Sequence, residues 1–242
     1  MPPYREQAIV LRTHKLGETD RICNLLSAGR GKVRAVAKGV RRPGSRFGAR
    51  LEPYSLVDLQ LHSAKSLDVI NQAELLVSFA GVRADWERSA CAQTMVEGAD
   101  RVAQEGERNA SLLLLLRDGL VALDNDPPEP ATVLDAYLLR LASVAGYHPA
   151  LGACAACGAP GDHAAFNLAA GGSLCHACAP PGSDALGQGV LAVLRRLARD
   201  PWPELAGGVG TGPARRSAGA LVASYLAHHL GASLRSWQLV PR

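Results

Sequence analysis

Four of the six cysteines in the 242-residue chain stand in two pairs, each with two residues between its members. The pairs are Cys154 with Cys157 and Cys175 with Cys178, and 17 residues separate them. Two such pairs can bring four thiolates around one ion, and this spacing lies in the range of four-cysteine zinc sites. Because four thiolates leave no open coordination position, the pattern predicts one Zn²⁺ with a structural role.

Two other uses of these cysteines are disfavoured. A redox dithiol needs only one such pair and is expected in a thioredoxin-like βαβ context, which the sequence lacks. Disulfides are rare in cytosolic chains of this size. Cys23 and Cys91 lie in apolar segments, which predicts ordinary buried side chains.

A second group of residues with the right chemistry is a cationic stretch between Gly29 and Leu51, with eight basic residues and no acidic one. The eight are Arg30, Lys32, Arg34, Lys38, Arg41, Arg42, Arg46 and Arg50. Basic side chains supply most of the affinity for a phosphate backbone, so the stretch predicts nucleic-acid binding, largely independent of base sequence. Phe47 is a candidate for stacking on a base.

The first half of this stretch has the period of a strand. Its basic residues from 30 to 38 share one parity, while Val33, Ala35 and Ala37 share the other, which predicts a cationic face and a small apolar face. Glycines and a proline break the second half, residues 39–50, into a loop. A solvated edge strand that resists aggregation is the alternative. The adjoining basic loop favours the nucleic-acid interpretation.

The elements that position the cationic stretch are predicted to be strands. Alternating or β-branched apolar runs at residues 5–16, 20–27, 53–62 and 67–72 flank the basic strand. Five short antiparallel strands in a domain of residues 1–79 predict a small closed barrel of the OB type, with an SH3-like barrel as the nearest alternative.

From about residue 80 the pattern becomes helical. Three proline-free runs rich in Ala, Leu, Arg and Glu predict helices, and two further helical runs follow, with Ser183 capping the first of these and Pro213 beginning the second. The predicted helices span residues 82–105, 110–123, 131–145, 183–199 and 213–230. The predicted fold class is α+β with more than one domain: a five-stranded OB-fold barrel, then an α-helical domain (residues 80–242) carrying the four-cysteine element as an insert (residues 150–182).

The distribution of charge supports two modules. Residues 1–80 contain 13 Lys and Arg against 7 Asp and Glu, whereas residues 81–145 contain 6 against 11. The first module therefore faces a polyanion. The N-terminus lacks the apolar core of a signal peptide, and the longest leucine run, residues 112–116, is too short to span a bilayer. The sequence predicts a cytoplasmic protein with no membrane partner.

The order of these features resembles the RecO family of bacterial recombination mediator and DNA repair proteins. The resemblance covers most of the chain and depends on a combination of short motifs rather than on one of them. The matching residues are Tyr4-Arg5-Glu6, Ala8-Ile9-Val10-Leu11, Gly17-Glu18-Thr19-Asp20, Ala37-Lys38-Gly39-Val40-Arg41-Arg42, Ser45-Arg46, Leu51-Glu52-Pro53-Tyr54, Gly146-Tyr147, Pro149 and the two cysteine pairs.

The resemblance implies an N-terminal OB fold, a helical C-terminal domain with the zinc element, and no nucleotide hydrolysis. It also implies binding to single- and double-stranded DNA, annealing of complementary strands, and help in loading recombinase onto DNA coated by single-strand DNA-binding protein. RecR is the implied partner, and the bacterial nucleoid the implied location.

Two other functions stay open on the residues alone. A metal-dependent nuclease would use the acidic middle region, but no paired-carboxylate, H-E-x-x-H, G-x-S-x-G or Walker pattern supports an enzyme. A zinc-stabilised adaptor would use the basic face to bind an acidic protein tail. The sequence therefore predicts a non-enzymatic DNA-binding protein.

Overall fold

The structure, a computed structural model, describes residues 3–181, 183–210 and 212–241. The chain divides into two compact units, Met1–Asp124 and Asn125–Arg242. In the part of the chain that the structure describes, no helix has the length and apolar character needed to cross a membrane.

The first unit begins with five strands that close into a barrel. They are β1 (Pro3–Leu16), β2 (Asp20–Ser27), β3 (Gly31–Ala37), β4 (Leu56–His62) and β5 (Asp68–Val77). Their order around the barrel is β1-β2-β3-β5-β4, and β4 returns to pair with β1. This closed five-stranded barrel confirms the predicted OB-type architecture.

One pair of neighbouring strands differs from the predicted antiparallel arrangement. Strands β3 and β5 are parallel, and only Ala35 with Asp68 and Val36 with Val69 are in register. The reason is geometric, because a closed ring with an odd number of strands cannot have every neighbouring pair antiparallel. The first half of β3 does not pair with β5 but bonds to the segment after α2, where the Lys32 amide donates to the Gln104 carbonyl at 3.0 Å.

Strand β1 is long enough to pair with both β4 and β2, and it bends between those partners. Residues 3–9 pair with β4, and an irregularity between Val10 and Arg12 interrupts the pairing with β2. Such a bulge lets a strand turn the corner of a small barrel. Inward-facing side chains such as Val10, Leu25 and Leu59 are at most 1 % exposed and form the barrel core.

Three α-helices follow the barrel in the described part of the first unit: α1 (Ala80–Ala84), α2 (Trp86–Val102) and α3 (Ala110–Asp124). The single helix predicted from residue 82 is broken at Asp85, whose carboxylate accepts a hydrogen bond from the Arg88 amide at 2.8 Å and caps α2. Helices α2 and α3 contact β1, and α3 also contacts β2. The first compact unit therefore extends past residue 79, where the sequence pattern changes.

The described residues of the second unit form four helices and a small sheet. The helices are α4 (Pro130–Val144), α5 (Val190–Arg199), α6 (Trp202–Ala206) and α7 (Pro213–Leu230). The strands are β6 (Ala165–Asn167), β7 (Gly172–Leu174) and β8 (Asp184–Ala185), in the order β7-β6-β8. The predicted combination of a barrel and a helical region with a four-cysteine element is confirmed.

The region before α5 differs from the prediction. Ser183 does not cap a helix, because the next two residues form β8 and pair with β6. Helix α5 begins at Val190, after Gly189 in a left-handed conformation with φ of 81°. Pro213 does lie in the first turn of α7, as predicted. Gly182, the predicted last residue of the insert, lies outside the described residues.

Candidate nucleic-acid interface and metal centre

The cationic loop, defined as residues 39–50, is fixed where it leaves the barrel. The Gly39 amide donates to the Asp20 carboxylate at 2.8 Å, and the Arg41 amide donates to the Thr19 carbonyl at 2.9 Å. The amide of Gly39, followed by the Thr19 hydroxyl, lowers the pKa of the Asp20 carboxyl below its ordinary value. The Arg41 guanidinium also donates to the Glu18 carbonyl at 2.9 Å. The loop therefore starts from a rigid base beside the β1–β2 turn.

The far end of the loop is anchored by apolar side chains. Phe47 and Leu51 are each 1 % exposed and belong to the barrel core. Glu52, the residue after Leu51, forms an ion pair with Arg21 at 2.9 Å. In this structure the ring of Phe47 packs in the barrel core and is not exposed for the predicted stacking on a base. Tyr54, the other aromatic residue near the loop, is 8 % exposed and donates to Gln93 at 3.2 Å.

The structure brings most of the predicted cationic residues to the surface. Arg34 projects from β3, Lys38 follows that strand, and the others lie in turns or in the cationic loop. The exposed members of the predicted set are Arg30, Arg34, Lys38, Arg41, Arg42, Arg46 and Arg50. These side chains can reach an extended polyanion that passes along the loop and the end of β3.

Lys32 is the exception. Its ammonium lies 3.0 Å from a carboxylate oxygen of Asp100 on α2, and both side chains are mostly buried, at 22 % and 18 % exposure. The same Asp100 carboxylate pairs with Arg12 at 2.8 Å. Lys32 is thus neutralised within the first unit and is a poor candidate for a phosphate contact. The sequence pattern of β3 contains no signal for Asp100, which lies 68 residues away.

The predicted metal ligands converge. The sulfur atoms of the four cysteines all lie within 4.8 Å of one another, and those of Cys157 and Cys175 are 3.8 Å apart. Metal–sulfur bonds of about 2.3 Å in a tetrahedron place sulfur atoms about 3.8 Å apart. The cluster, defined as Cys154, Cys157, Cys175 and Cys178, has the size and the donor set to hold one metal ion.

The local backbone supports this cluster. The Gly158 amide donates to the Cys154 carbonyl at 2.9 Å, and Gly158 has a φ of 73°, so this turn favours glycine. The Cys175 amide donates to the Cys154 sulfur at 3.4 Å. Hydrogen bonds from the amides of Cys175 and Cys157 lower the pKa of the Cys154 thiol to about 6. Hydrogen bonding with Cys175 and Cys157 raises the pKa of Cys178 to about 12. Four adjacent sulfurs need a cation before all can be thiolates.

The strands β6 and β7 connect the two cysteine pairs, and their hairpin packs on α7. The ring of Phe166 is 2 % exposed and meets the ring of Tyr225 edge-on, with centroids 5.9 Å apart. Ser173 donates through its hydroxyl to the carbonyl of Ala150 at 3.1 Å. The cluster is therefore attached to the helices of the second unit by a few contacts rather than by a large core.

The two remaining cysteines take no part in the cluster. Cys23 is fully buried in the barrel, and burial raises the pKa of its thiol to about 12. Cys91 is buried in α2. Both positions agree with the prediction that these side chains pack in the interior.

The structure defines a class of α+β protein. Its members have an OB-type barrel with an exposed cationic loop, followed by a helical unit with a four-cysteine cluster. Comparison with known families places the chain within that class. The family model described as Recombination protein O N terminal matches residues 1–79, and the model described as Recombination protein O C terminal matches residues 83–238. The chain belongs to the RecO family.

Curated relatives are similar over the whole length of the chain, and three of them carry the name DNA repair protein RecO. The protein from Nocardioides sp. is 48 % identical over 246 aligned residues, which cover 99 % of each chain. The protein from Thermobifida fusca is 45 % identical over 245 residues and that from Frankia casuarinae 43 % over 244, with full coverage of both chains in each case.

Proposed function

We propose that this chain is a non-enzymatic recombination mediator in DNA repair that binds single- and double-stranded DNA through phosphate contacts. The observation that carries the proposal is the exposure of the basic side chains that lie in or next to the cationic loop. Among the described residues, none of them lies in an ion pair within the protein, in contrast to Lys32. The proposed phosphate contacts are Arg34, Lys38, Arg41, Arg42, Arg46 and Arg50.

Annealing follows from the same surface. Two complementary strands repel each other through their phosphates, and a cationic loop that contacts both lowers this repulsion. Because phosphates carry no base information, the protein would anneal strands of any sequence. We also propose that the chain helps to load recombinase onto DNA coated by single-strand DNA-binding protein. RecR is the proposed further partner, and the bacterial nucleoid is the proposed location. The names of the relatives, DNA repair protein RecO, support a role in DNA repair.

The metal of the proposal is one structural Zn²⁺. Four cysteine sulfurs form a donor set that favours a soft or borderline cation such as zinc over magnesium or calcium. With four protein ligands the ion has no position for water or substrate, so its contribution is to the stability of the β6–β7 hairpin. The residues that would hold it are Cys154, Cys157, Cys175 and Cys178.

The arrangement of acidic residues supports a non-enzymatic role over a nuclease. Within the described ranges, the four-cysteine cluster is the single group of three or more His, Cys, Asp or Glu side chains placed to hold a metal ion. A two-metal nuclease needs carboxylates that converge on its ions. An adaptor that binds an acidic protein tail remains the second alternative, and competition between such a peptide and an oligonucleotide distinguishes it.

Binding of single-stranded DNA is expected to depend steeply on salt. If about five phosphates are neutralised, with a slope near −0.7 for each, the affinity falls roughly a hundredfold between about 50 and 200 mM salt. Fluorescence anisotropy with labelled oligonucleotides of unrelated sequence measures this slope. Affinity that varies strongly with base sequence, or a slope near zero, would refute phosphate-dominated binding. Shortening of the labelled strand in the presence of magnesium would favour the nuclease instead.

A further inference from the structure

A groove of about 490 Å³ lies on the first unit beside the half of β3 that does not pair with β5. This volume lies within the range of small-ligand sites. Its walls come from the β2–β3 turn, the β4–β5 turn and the segment after α2. The side chains that decide its chemistry are Arg30, Arg34, Ser66, Asp68 and Glu105. We call this the β3 groove.

The Arg30 side chain is exposed, but its guanidinium lies against an aromatic ring. Its guanidinium carbon lies 3.8 Å from the centroid of the Tyr4 ring, a close cation–π contact. The Tyr4 ring in turn packs on the barrel core, and its hydroxyl donates to Asp68. The Tyr4 ring thus lies between the barrel core and the Arg30 guanidinium. The guanidinium in turn lines the β3 groove.

The backbone around Arg30 is held from several sides. The Gly29 amide donates to the Glu6 carboxylate at 3.2 Å, and the Arg30 amide donates to the Ser27 hydroxyl at 3.1 Å. The Arg30 carbonyl accepts from the Gly106 amide at 3.1 Å. Gly31 has a φ of 62°, and a Cβ there would lie 2.2 Å from the Glu107 carbonyl oxygen. The turn is therefore fixed before any ligand binds, which lowers the entropy cost of using Arg30.

The charges of the β3 groove suit a base better than a phosphate. Asp68 and Glu105 line the groove next to Arg30 and Arg34, and their carboxylates repel a phosphate at short range. The same carboxylates accept hydrogen bonds from the N–H groups of a base. A planar guanidinium backed by an aromatic ring is a surface on which bases stack.

We infer that the β3 groove binds one nucleobase of single-stranded DNA, stacked on the Arg30 guanidinium, while the neighbouring phosphates contact Arg34 and the cationic loop. This inference rests on the proposed DNA binding and changes the role of one residue in it. Arg30 acts as a stacking surface rather than as one more phosphate contact. Since every base has a π face, the contact is tolerant of sequence.

The test compares two oligomers with equal numbers of phosphates: an oligothymidylate of about 15 nucleotides, which is long enough for one OB barrel, and its abasic counterpart. The wild-type protein is expected to bind the oligothymidylate between about fivefold and about a hundredfold more tightly, as one stacked base contributes. Arg30→Lys keeps the charge but removes the planar group, so this preference should fall to near unity. Arg216→Lys, which changes an exposed arginine on α7 outside the proposed DNA-binding residues, is the control and should keep it.

Retention of the base preference in Arg30→Lys would overturn the inference, as would its absence in the wild-type protein. Arg30 is exposed, so the lysine variant does not endanger the barrel core. Tyr4→Leu, which removes the supporting ring, gives a second measurement and should also lower the preference. If the proposed DNA binding itself is wrong, the protein binds neither oligomer. That result would reject both the DNA binding and the base stacking on Arg30.

Discussion

Replacing Cys154 with alanine is expected to remove the bound metal and to lower the free energy of unfolding of the second unit by more than about 4 kcal/mol. Three thiolates bind a zinc ion less tightly than four, and metal binding to a site that is absent from the unfolded chain contributes directly to folding. The hairpin between the two cysteine pairs has only strands of three residues each and one large buried ring, Phe166. Metal content per chain and urea unfolding measure the two effects.

Cys23→Ala is the control for the loss of a thiol. The Cys23 side chain is fully buried, but it lies in the barrel and outside the four-cysteine cluster. This variant should keep one zinc per chain and lose about 1 kcal/mol of stability, as expected for a small cavity. Full stability of metal-free Cys154→Ala protein would contradict a structural role for the metal.

A second large effect is expected at Arg215 on α7. Its guanidinium is 4 % exposed, lies 2.6 Å from the carboxylate of Asp135 on α4, and also donates to the Thr132 hydroxyl at 2.9 Å. Asp135 is fully buried. Arg215→Met takes away the charge that offsets this buried carboxylate, and such a change costs about 3–5 kcal/mol. Chemical denaturation of the variant measures the loss.

The matched control for Arg215→Met replaces both members of the pair. In Arg215→Met/Asp135→Leu no buried charge is left at this site, and apolar side chains of similar volume can pack between α4 and α7. The double variant should be more stable than either single variant, with a coupling free energy of about 2 kcal/mol or more. Strictly additive losses would show that the pair contributes little.

The sequence was sufficient to predict those parts of the protein that depend on local pattern. The spacing of the cysteine pairs predicted their convergence, because a four-ligand site needs only the two short motifs and a connection between them. The alternation of Val33 and Ala35 with basic residues predicted a strand with a buried face. Pro213 correctly predicted the start of α7, since its fixed φ suits a first helical turn.

The parts that could not be predicted depend on contacts between distant segments. Lys32 looked equivalent to Arg34 within the strand, but only the packing of α2 on the barrel shows that Asp100 neutralises it. Phe47 stands in a loop rich in glycine and arginine, so its neighbours suggested exposure, whereas the barrel uses it to close its core. The cation–π contact of Arg30 with Tyr4 likewise joins the β2–β3 turn to β1, which is distant in sequence.

The central claim is that the cationic loop binds DNA through its phosphates, and one measurement tests it most directly. The affinity for a single-stranded oligonucleotide is followed against salt for Arg42→Ala/Arg46→Ala and for a control, Arg108→Ala/Arg216→Ala, that loses the same two charges from exposed positions elsewhere. We expect the loop variant to bind more weakly and its salt slope to become shallower by about 1.4, or about 0.7 for each lost contact, while the control keeps the slope of the wild-type protein. An unchanged slope in the loop variant would contradict the claim.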